Sequence, residues 1–314
     1  MRAIETSMDP LQMIQGIGSN KMRAILRVQT KALSVMTSLL VHKGFDWILP
    51  VTLAKSTDPL WPDPGASIEK RIEFDVYGEN VRTMQSMIIH KLVLASLGPK
   101  RFFIISPNIR IESRKRAATG RHLYEFTQLE IEISGGKMQD VFRVYEDLVD
   151  ATIRAVHDDV SELRRSELSV HGTPFKIYSR KELEEKYGEG WEQMASEESD
   201  PFWLTDIPRE FYDYQDETTG AWRNYDLFLP EGYGEVISGA EREYEYSRIV
   251  KKLERDGVKK DDYAFLLSLA KDGKLKPSAG AGLGLERFIA YLCGVKHVAE
   301  VQPFPRVPGI VPPL

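Results

Sequence analysis

Arg110-Ile111-Glu112, Arg121-His122-Leu123-Tyr124-Glu125-Phe126 and Glu130 bring cations, an aromatic ring and carboxylates together within twenty-one residues. The flanking segments 102–111 and 124–133 are rich in β-branched and aromatic residues, which predicts two strands, and the polar basic segment between them ends at Thr119-Gly120. The stretch therefore predicts an antiparallel hairpin with a cationic tip. Arginine forks suit phosphates and an aromatic ring suits a base, so one interpretation is a nucleotide triphosphate site. The other is a solvated basic turn with Phe126 in the core.

The composition is that of an ordinary globular protein. Of the 314 residues, 42% are hydrophobic and 28% are charged, and the formal net charge of −5 arises from dispersed residues of both signs. Dispersed charge predicts no broad polyanion-binding face, although local basic patches can hold phosphates. The single cysteine, Cys293, excludes an internal disulfide or a cysteine metal cluster. Because no run of about 18 apolar residues and no secretory signal pattern occur, we expect a soluble cytoplasmic protein without a membrane partner.

Hydrophobic periodicity predicts the elements around the hairpin. A long helix over 21–42 precedes a strand over 45–50, and the Pro- and Gly-rich segment 57–65 predicts a loop or lid. Further helices are predicted over 87–97, 139–166 and 247–256, and strands over 72–76, 80–84, 202–207, 210–214, 225–229 and 234–238. We expect an α+β fold in which helices flank a largely antiparallel sheet, with an extension over 1–19, one domain over 20–314 and a surface insertion over 167–200.

A second motif alternates glycine and then opens a helix. It runs Gly280-Ala281-Gly282-Leu283-Gly284-Leu285-Glu286-Arg287-Phe288, and alone it is explained equally well by close helix–sheet packing. Paired with the hairpin, it resembles the second and third signatures of class II aminoacyl-tRNA synthetases: Arg-x-Glu, a loop, Arg-His and Phe, then a glycine-alternating strand ending in Glu-Arg. Pro50, after the long helix, resembles the first signature, which implies a homodimer.

The resemblance is closest to aspartyl- and asparaginyl-tRNA synthetases, from about Lys21 to Pro308. It is carried by the Arg-His-Leu-x-Glu-Phe-Thr run from Arg121 and by Ser238-Gly239-Ala240-Glu241-Arg242. It implies ATP and Mg²⁺ as cofactors, Arg110 and Arg287 as catalytic residues, and Asp226 and Glu235 as metal ligands, since hard carboxylates suit Mg²⁺. The ATP-binding residues that it implies are Arg110, Glu112, Arg121, His122, Leu123, Phe126, Glu235, Gly284 and Arg287.

The same resemblance implies an aspartate site. Its residues are Gln85, Ser86, Lys91, Glu130, Ser238, Arg242 and Gly282. Lys91 and Arg242 match the clamp on the substrate carboxylate, and Glu130 matches the partner of the substrate amino group; a surface lysine and an exposed strand glutamate are the plain alternatives. The family's Gln-Ser-x-Gln run ends here in Ile88, so one polar contact to the amino acid is lost, and we interpret this as a changed ligand pose.

Both synthetase types carry a barrel of roughly 100 residues that reads the anticodon ahead of the catalytic domain. Only nineteen residues precede the predicted domain over 20–314, so we expect no barrel, and the chain then resembles archaeal asparagine synthetases related to these enzymes. We predict AMP-forming asparagine synthesis from L-aspartate, ammonia and ATP, without tRNA. One alternative is a truncated asparaginyl- or aspartyl-tRNA synthetase, which the basic run Arg114-Lys115-Arg116 favours. The other is a non-catalytic paralogue that binds an amino acid or adenylate. Asparagine as the activated amino acid also stays open.

Overall fold

The computed structural model describes residues 16–60, 68–197 and 200–312. An eight-stranded sheet forms the centre, and five of its seven pairings are antiparallel; the two outermost pairings are parallel. In spatial order its strands are β1 (Asp46–Ile48), β6 (Arg101–Ile109), β8 (Glu125–Ser134), β13 (Ser278–Gly284), β12 (Gly234–Glu241), β11 (Asn224–Leu229), β10 (Phe202–Thr205) and β9 (Lys176–Ser179). The predicted α+β architecture is confirmed.

Smaller strands and eight helices complete the described fold. One small sheet joins β2 (Leu53–Ala54), β5 (Glu79–Thr83) and β4 (Glu73–Val76), and another joins β3 (Ile68–Lys70) and β7 (Ile111–Glu112). The helices are α1 (Asn20–His42), α2 (Ile88–Leu97), α3 (Met138–Val156), α4 (Arg180–Tyr187), α5 (Trp191–Ser196), α6 (Tyr246–Arg255), α7 (Ala264–Lys271) and α8 (Leu285–Cys293). Short 3₁₀ turns lie at Arg114–Thr119, Lys260–Tyr263 and Val298–Val301.

Strand alternation separates the main core from the polar face of the sheet. Leu129, Ile131 and Leu283 lie in the main hydrophobic core, together with residues of α1, α3 and α8. Their neighbours along the strands, Glu130 and Gly282, line a cavity. Because side chains alternate between the two faces of a strand, β8 and β13 each supply both the core and the cavity wall.

Helix α1 is long and apolar enough to cross a membrane by length and composition alone. Its N-terminus is capped by Ser19, whose Oγ accepts a hydrogen bond from Met22 N at 3.1 Å. Five residues along one stripe, Ile25, Val28, Ala32, Met36 and Leu40, lie in the main core. A stripe at this spacing is the amphipathic pattern of a helix that packs against a protein core.

Several predicted elements differ from the observed ones. The hairpin is confirmed, since β6 and β8 pair antiparallel with Ser106 opposite Gln128. The helix predicted to end at 166 ends at Val156. Residues 210–214 are an irregular segment with one bridge, Asp213 to Arg242, instead of a strand. Aromatic residues there gave a strand-like pattern, but Phe211 and Tyr212 are buried in a second hydrophobic cluster with residues of α2, α6 and α7.

The segment 167–200 is integrated into the fold. Strand β9 extends the central sheet through parallel pairing with β10. Leu183 and Ala195, from the two short acidic helices, are buried against Phe202 and Phe228. The polar composition of α4 reflects its exposed side, so it did not reveal this contact. Most of the predicted lid, together with the predicted extension up to residue 15, lies outside the described residues.

Candidate active site

A cavity of about 340 Å³ lies on the polar face of the central sheet. All the predicted site residues line it except Gln85 and Asp226. Those that line it are Ser86, Lys91, Arg110, Glu112, Arg121, His122, Leu123, Phe126, Glu130, Glu235, Ser238, Arg242, Gly282, Gly284 and Arg287. The fold therefore brings together the hairpin, the glycine-alternating strand and the start of α8.

Close approach explains the alternating glycines of β13. A Cβ at Gly280 would lie 2.1 Å from Glu132 Oε2 and 2.2 Å from Ile131 O, and one at Gly282 would lie 2.9 Å from Gln128 Nε2. These separations are shorter than non-bonded contacts allow. The motif thus lets a buried carboxylate and the cavity lie directly against the strand.

Three arginines form what we call the arginine end of the cavity: Arg110, Arg121 and Arg287. Their hydrogen bonds go to backbone carbonyls. Arg110 Nε donates to Gln85 O at 2.9 Å, Arg121 Nη2 to Glu235 O at 2.9 Å, and Arg287 Nη1 to the same oxygen at 3.1 Å. Arg287 Nη1 also lies 3.6 Å from Glu235 Oε1, which compensates part of its charge. The carbonyl partners of Arg110 and Arg121 orient the guanidinium without neutralising it, so this end suits a polyanion.

The aromatic ring of the hairpin lies beside the first of these arginines. Arg110 Cζ lies 5.2 Å from the ring centroid of Phe126, within the range of a cation–π contact. Leu123 is buried at the same end of the hairpin. The first turn of α8 is tied to the hairpin by Glu286, which accepts hydrogen bonds from Thr127 N at 3.0 Å and from Gln302 Nε2 at 2.7 Å.

His122 is held as a neutral imidazole. Arg116 Nη1 lies 2.7 Å from its Nε2, and because a guanidinium only donates, we assign the proton to Nδ1, which lies 2.6 Å from Thr119 Oγ1. Burial and the charges of Arg287 and Arg116 lower the pKa of His122 to about 3. Arg116 Nε also lies 3.4 Å from Glu112 Oε2. His122 thus orders the tip of the hairpin and adds no positive charge at neutral pH.

Two buried cations and their carboxylate partners form the opposite end, which we call the ion-pair end. Lys91 Nζ lies 2.8 Å from Glu130 Oε2, and each side chain is 2% exposed. The other oxygen of Glu130 accepts a hydrogen bond from Ser106 Oγ at 3.2 Å. Arg242 Nε lies 3.2 Å from Glu132 Oε1, and its Nη1 lies 3.4 Å from Asp213 Oδ1. Buried charges of this kind are tolerated because each one is paired.

Gln85 and Ile88 lie on either side of the turn into α2. Gln85 lines a second, neighbouring cavity instead of the first, whereas Ser86 and Ile88 line the first. Ile88 is 3% exposed and packs in the cluster that contains Leu92. The turn between Gln85 and Ile88 places their side chains in different cavities, and the sequence motif alone did not predict this.

An arginine that sequence reasoning missed is bonded to one of the two predicted metal ligands. Arg209 Nη2 donates to Asp226 Oδ2, and its Nη1 donates to Ser238 Oγ at 2.6 Å. Burial raises the pKa of Asp226 to about 6. Although burial alone would raise it, the charges of Arg287 and Arg209 hold the pKa of Glu235 below its ordinary value. Pro208 interrupts the strand pattern directly before Arg209, and this proline was the one sign in the sequence that the segment is not a regular strand.

Besides Asp213, the cavity is lined by two further carboxylates that the sequence motifs did not indicate, Asp58 and Glu210. Asp58 follows directly on Thr57, and Glu210 follows Arg209 in the irregular segment. Neither lies in a recognisable motif, and the aromatic pair Phe211-Tyr212 made the second segment resemble a strand. With Glu130 and Asp213 they make the ion-pair end richer in carboxylates than in cations.

Comparison with known proteins decides the family. A family model described as tRNA synthetases class II (D, K and N) matches residues 12–308. The chain belongs to this family. It is 29% identical over 320 residues to an asparagine–tRNA ligase of Thermococcus kodakarensis, which covers 93% of the chain and 70% of the relative. A second asparagine–tRNA ligase, from Pelotomaculum thermopropionicum, is 32% identical over 260 residues, covering 75% of the chain and 59% of the relative.

Solved structures of class II synthetases share the fold. The asparaginyl-tRNA synthetase of Pyrococcus horikoshii in complex with asparaginyl-adenylate superposes with a TM-score of 0.86 at 24% identity, covering 96% of this chain and 73% of that one. The predicted class II fold and ligase family are confirmed. The relatives' names are those of tRNA ligases, which goes against the expectation that tRNA has no part here.

Proposed function

We propose that this chain is an AMP-forming ligase that activates L-aspartate with ATP and transfers it to ammonia, giving asparagine. The supporting observation is the charge balance of the ion-pair end. Asp58, Glu130, Glu210 and Asp213 line the cavity there beside the cations Lys91 and Arg242. A bound aspartate would pair one of its carboxylates with Lys91 and Arg242 and its amino group with one of the protein carboxylates. The other protein carboxylates would then suit a second small cation, and ammonium is such a cation.

Adenylate formation follows from the arrangement of the arginine end. A carboxylate oxygen of aspartate attacks the α-phosphorus of ATP, and pyrophosphate leaves in line. Arg110 would meet the charge that develops on the phosphoryl oxygens, while Arg121 and Arg287 would hold the outer phosphates. Phe126 would stack on the adenine, and Glu112 would accept a hydrogen bond from its amino group. Positioning and fixed charge supply most of the catalysis in such a transfer.

Asp226 and Glu235 fit a magnesium ion that binds together with ATP. Asp226 Oδ1 is buried and has no hydrogen-bond partner among the described residues, so it is an available oxygen ligand. No group of three or more His, Cys, Asp or Glu suited to a metal occurs among those residues. Two carboxylates completed by phosphate and water are typical of Mg²⁺ sites, and the ion would neutralise phosphate charge.

The orientation of aspartate distinguishes this reaction from activation of the α-carboxylate. If Lys91 and Arg242 take the α-carboxylate, the β-carboxylate faces the arginine end. Only the partner of the amino group must then change. Ile88, which presents an apolar surface where the family has glutamine, removes a contact that would favour the other pose. We propose Ile88 as part of this change.

Product analysis tests the proposal. The chain is incubated with L-aspartate, ATP and ammonium, with and without tRNA, and free asparagine, AMP and aminoacyl-tRNA are quantified. We expect free asparagine and AMP in equal amounts without tRNA. Charged tRNA in the absence of free asparagine would contradict the proposal. Replacement of aspartate by asparagine in an ATP–pyrophosphate exchange assay determines which amino acid is activated.

A second candidate function is asparaginyl- or aspartyl-tRNA ligation, supported by the names of the relatives. The basic tip Arg114-Lys115-Arg116 also supports it, because cations there suit the phosphates of an acceptor stem. Substitution by alanine of Arg114 and Lys115, which lie outside the lining of the cavity, should then weaken tRNA charging and leave ATP–pyrophosphate exchange intact. The same product analysis separates the two functions.

We further propose a homodimer in the cytoplasm. Trp47 and Leu49, on and beside β1, are 53% and 82% exposed, and Val41 at the end of α1 is 57% exposed. An apolar patch of this kind suits a twofold interface, the commonest form of oligomer. Sedimentation at micromolar concentration should give a dimer. Leu49→Asp should shift it toward monomer, and a monomeric unmodified chain would contradict the proposal.

A further inference from the structure

A second cavity, of about 390 Å³, lies beside the active-site cavity. Its lining contains three cations, Arg71, Arg82 and Lys259, and four carboxylates, Asp58, Glu73, Asp256 and Asp262. Arg82 is paired with Glu73 and Asp262. The two cavities share one lining residue, Asp58, which belongs to the walls of both. Thr57 fixes this wall, because its Oγ1 accepts a hydrogen bond from Gln85 N at 3.0 Å and donates to Ser86 O at 3.2 Å. The second cavity therefore lies next to the ion-pair end, with Asp58 in the wall between them.

Two buried polar side chains on this wall keep unused hydrogen-bonding capacity. Gln85 is 4% exposed, and its side-chain amide makes no hydrogen bond to any described residue. Asp58 is 5% exposed; its Oδ1 accepts one hydrogen bond, from Leu60 N at 2.8 Å, and it forms no ion pair within the described ranges. Because Gln85 and Asp58 both line the second cavity, their polar atoms can accept hydrogen bonds from a small ligand there.

Glu210 lies on the active-site side of the same wall. In the described part of the chain its carboxylate has no hydrogen bond and no ion pair, while the adjacent Arg209 is engaged by Asp226 and Ser238. Burial and the charges of Asp58 and Asp213 raise the pKa of Glu210 to about 8, against the opposing charge of Arg209. With this pKa the Glu210 carboxylate is a stronger base than an ordinary carboxylate, and it accepts a proton in its ionised form, whose fraction grows as the pH rises toward and past 8.

We infer that the second cavity binds the ammonium ion that supplies nitrogen, through the Gln85 amide oxygen and Asp58, and that Glu210 accepts its proton at the active site. The inference rests on the proposed asparagine synthesis. Ammonium has no free electron pair, so it must lose a proton before it can attack an adenylate. Carboxylates and an amide oxygen are the acceptors that its N–H groups require.

The chemistry balances without any further reactant. Ammonium transfers one proton to the Glu210 carboxylate, and the lone pair of the resulting ammonia attacks the acyl carbon of aspartyl adenylate. The carbon–nitrogen bond forms, the bond from carbon to the phosphate oxygen breaks, and AMP leaves with that electron pair. The new amide nitrogen loses its second proton to the departing phosphate.

Hydroxylamine provides the decisive probe, because it is largely uncharged at neutral pH and attacks the same adenylate without first losing a proton. The full chain and its Glu210→Gln variant are given aspartate and ATP with either ammonium or hydroxylamine, and asparagine and aspartyl hydroxamate are measured. We expect the ratio of asparagine to hydroxamate to fall by about a hundredfold in Glu210→Gln. Glu189→Gln, a change at an exposed position, is the matched control and should keep the ratio.

A second variant tests the binding wall independently. Asp58→Asn should raise the KM for ammonium by about tenfold and change the KM for aspartate far less, because one charged contact to ammonium is lost. An equal loss of both products in Glu210→Gln, or a parallel rise of both KM values in Asp58→Asn, would overturn the inference alone. Hydroxamate without any asparagine from the unmodified chain would overturn the proposed function, and the inference with it.

Discussion

At the arginine end of the cavity, Arg110, Arg121 and Arg287 donate to backbone carbonyls, whereas at the ion-pair end Lys91 and Arg242 are paired with buried carboxylates. Both ends are cationic in sequence, yet their net charges differ. Arginines that donate to carbonyls keep a positive charge, which suits the phosphates of ATP. Cations paired with carboxylates suit a small zwitterion such as aspartate, whose own carboxylate and amino group can replace those partners. The difference arises from pairing, so a count of cations alone does not predict which substrate binds where.

Removal of one buried partner should have the largest effect. Lys91→Met leaves Glu130 buried without its cation and should lower the free energy of unfolding by about 3–5 kcal/mol. Chemical denaturation measures the change. Lys31→Met, which breaks an exposed pair with Asp159, is the matched control and should cost below about 1 kcal/mol. Equal effects of the two substitutions would show that the pair at the ion-pair end has no special weight.

Loss of an arginine at the other end should affect catalysis more than stability. Arg110→Ala should lower the rate of aspartate-dependent ATP–pyrophosphate exchange by about a hundredfold to a thousandfold, because a fixed donor to the developing charge is lost. Its free energy of unfolding should change little, since Arg110 leaves no buried carboxylate behind. Arg114→Ala, at the hairpin tip, serves as the control. Wild-type exchange in Arg110→Ala would remove the functional contrast between the two ends.

A substitution at the boundary of the ion-pair end should have a smaller effect. Ile88→Gln restores the polar group of the family and should change the KM for aspartate by about threefold to tenfold, because one neutral hydrogen bond is gained in the competing pose. Steady-state kinetics of asparagine formation measure it, with Ile88→Leu as the volume-matched control. If aspartate affinity and product formation both stay unchanged in Ile88→Gln, Ile88 has no part in substrate orientation.

The neutral state of His122 gives the smallest expected effect. Its folded pKa of about 3 lies below the ordinary value of 6.5, so the unfolded chain binds the proton first as the pH falls. The contribution of His122 to stability is therefore full above about pH 6.5 and is lost as the pH falls toward 3. His122→Asn should flatten the pH dependence of the unfolding free energy in that window relative to His157→Asn. Identical slopes would contradict the assignment.

Local patterns predicted much of the arginine end. The hairpin and the glycine-alternating strand are continuous motifs with strong periodicity, and Arg110, His122, Phe126 and Arg287 from these motifs line one cavity; their roles stay predictions. Their charge state was not predictable, because the pKa of His122 depends on arginines brought close only by the fold.

The ion-pair end was less accessible from sequence. Glu130 and Lys91 were identified through resemblance, but their mutual pairing depends on the contact between α2 and β8. Arg209 and Glu210 lie in an irregular segment whose aromatic residues imitate a strand, so they were missed. Gln85 was assigned to the substrate, yet the turn before α2 directs it into the second cavity. The positions of these side chains depend on contacts between residues far apart in the chain, which a local sequence pattern does not predict.

We propose that aspartate lies with its α-carboxylate at the ion-pair end and its β-carboxylate at the arginine end. L-aspartate labelled with ¹⁸O in the β-carboxylate alone tests it directly, when it is incubated with ATP and ammonium and the AMP is analysed by mass spectrometry. We predict that one labelled oxygen appears in AMP as free asparagine forms. AMP without label, formed together with an α-carboxyl product, would contradict this account.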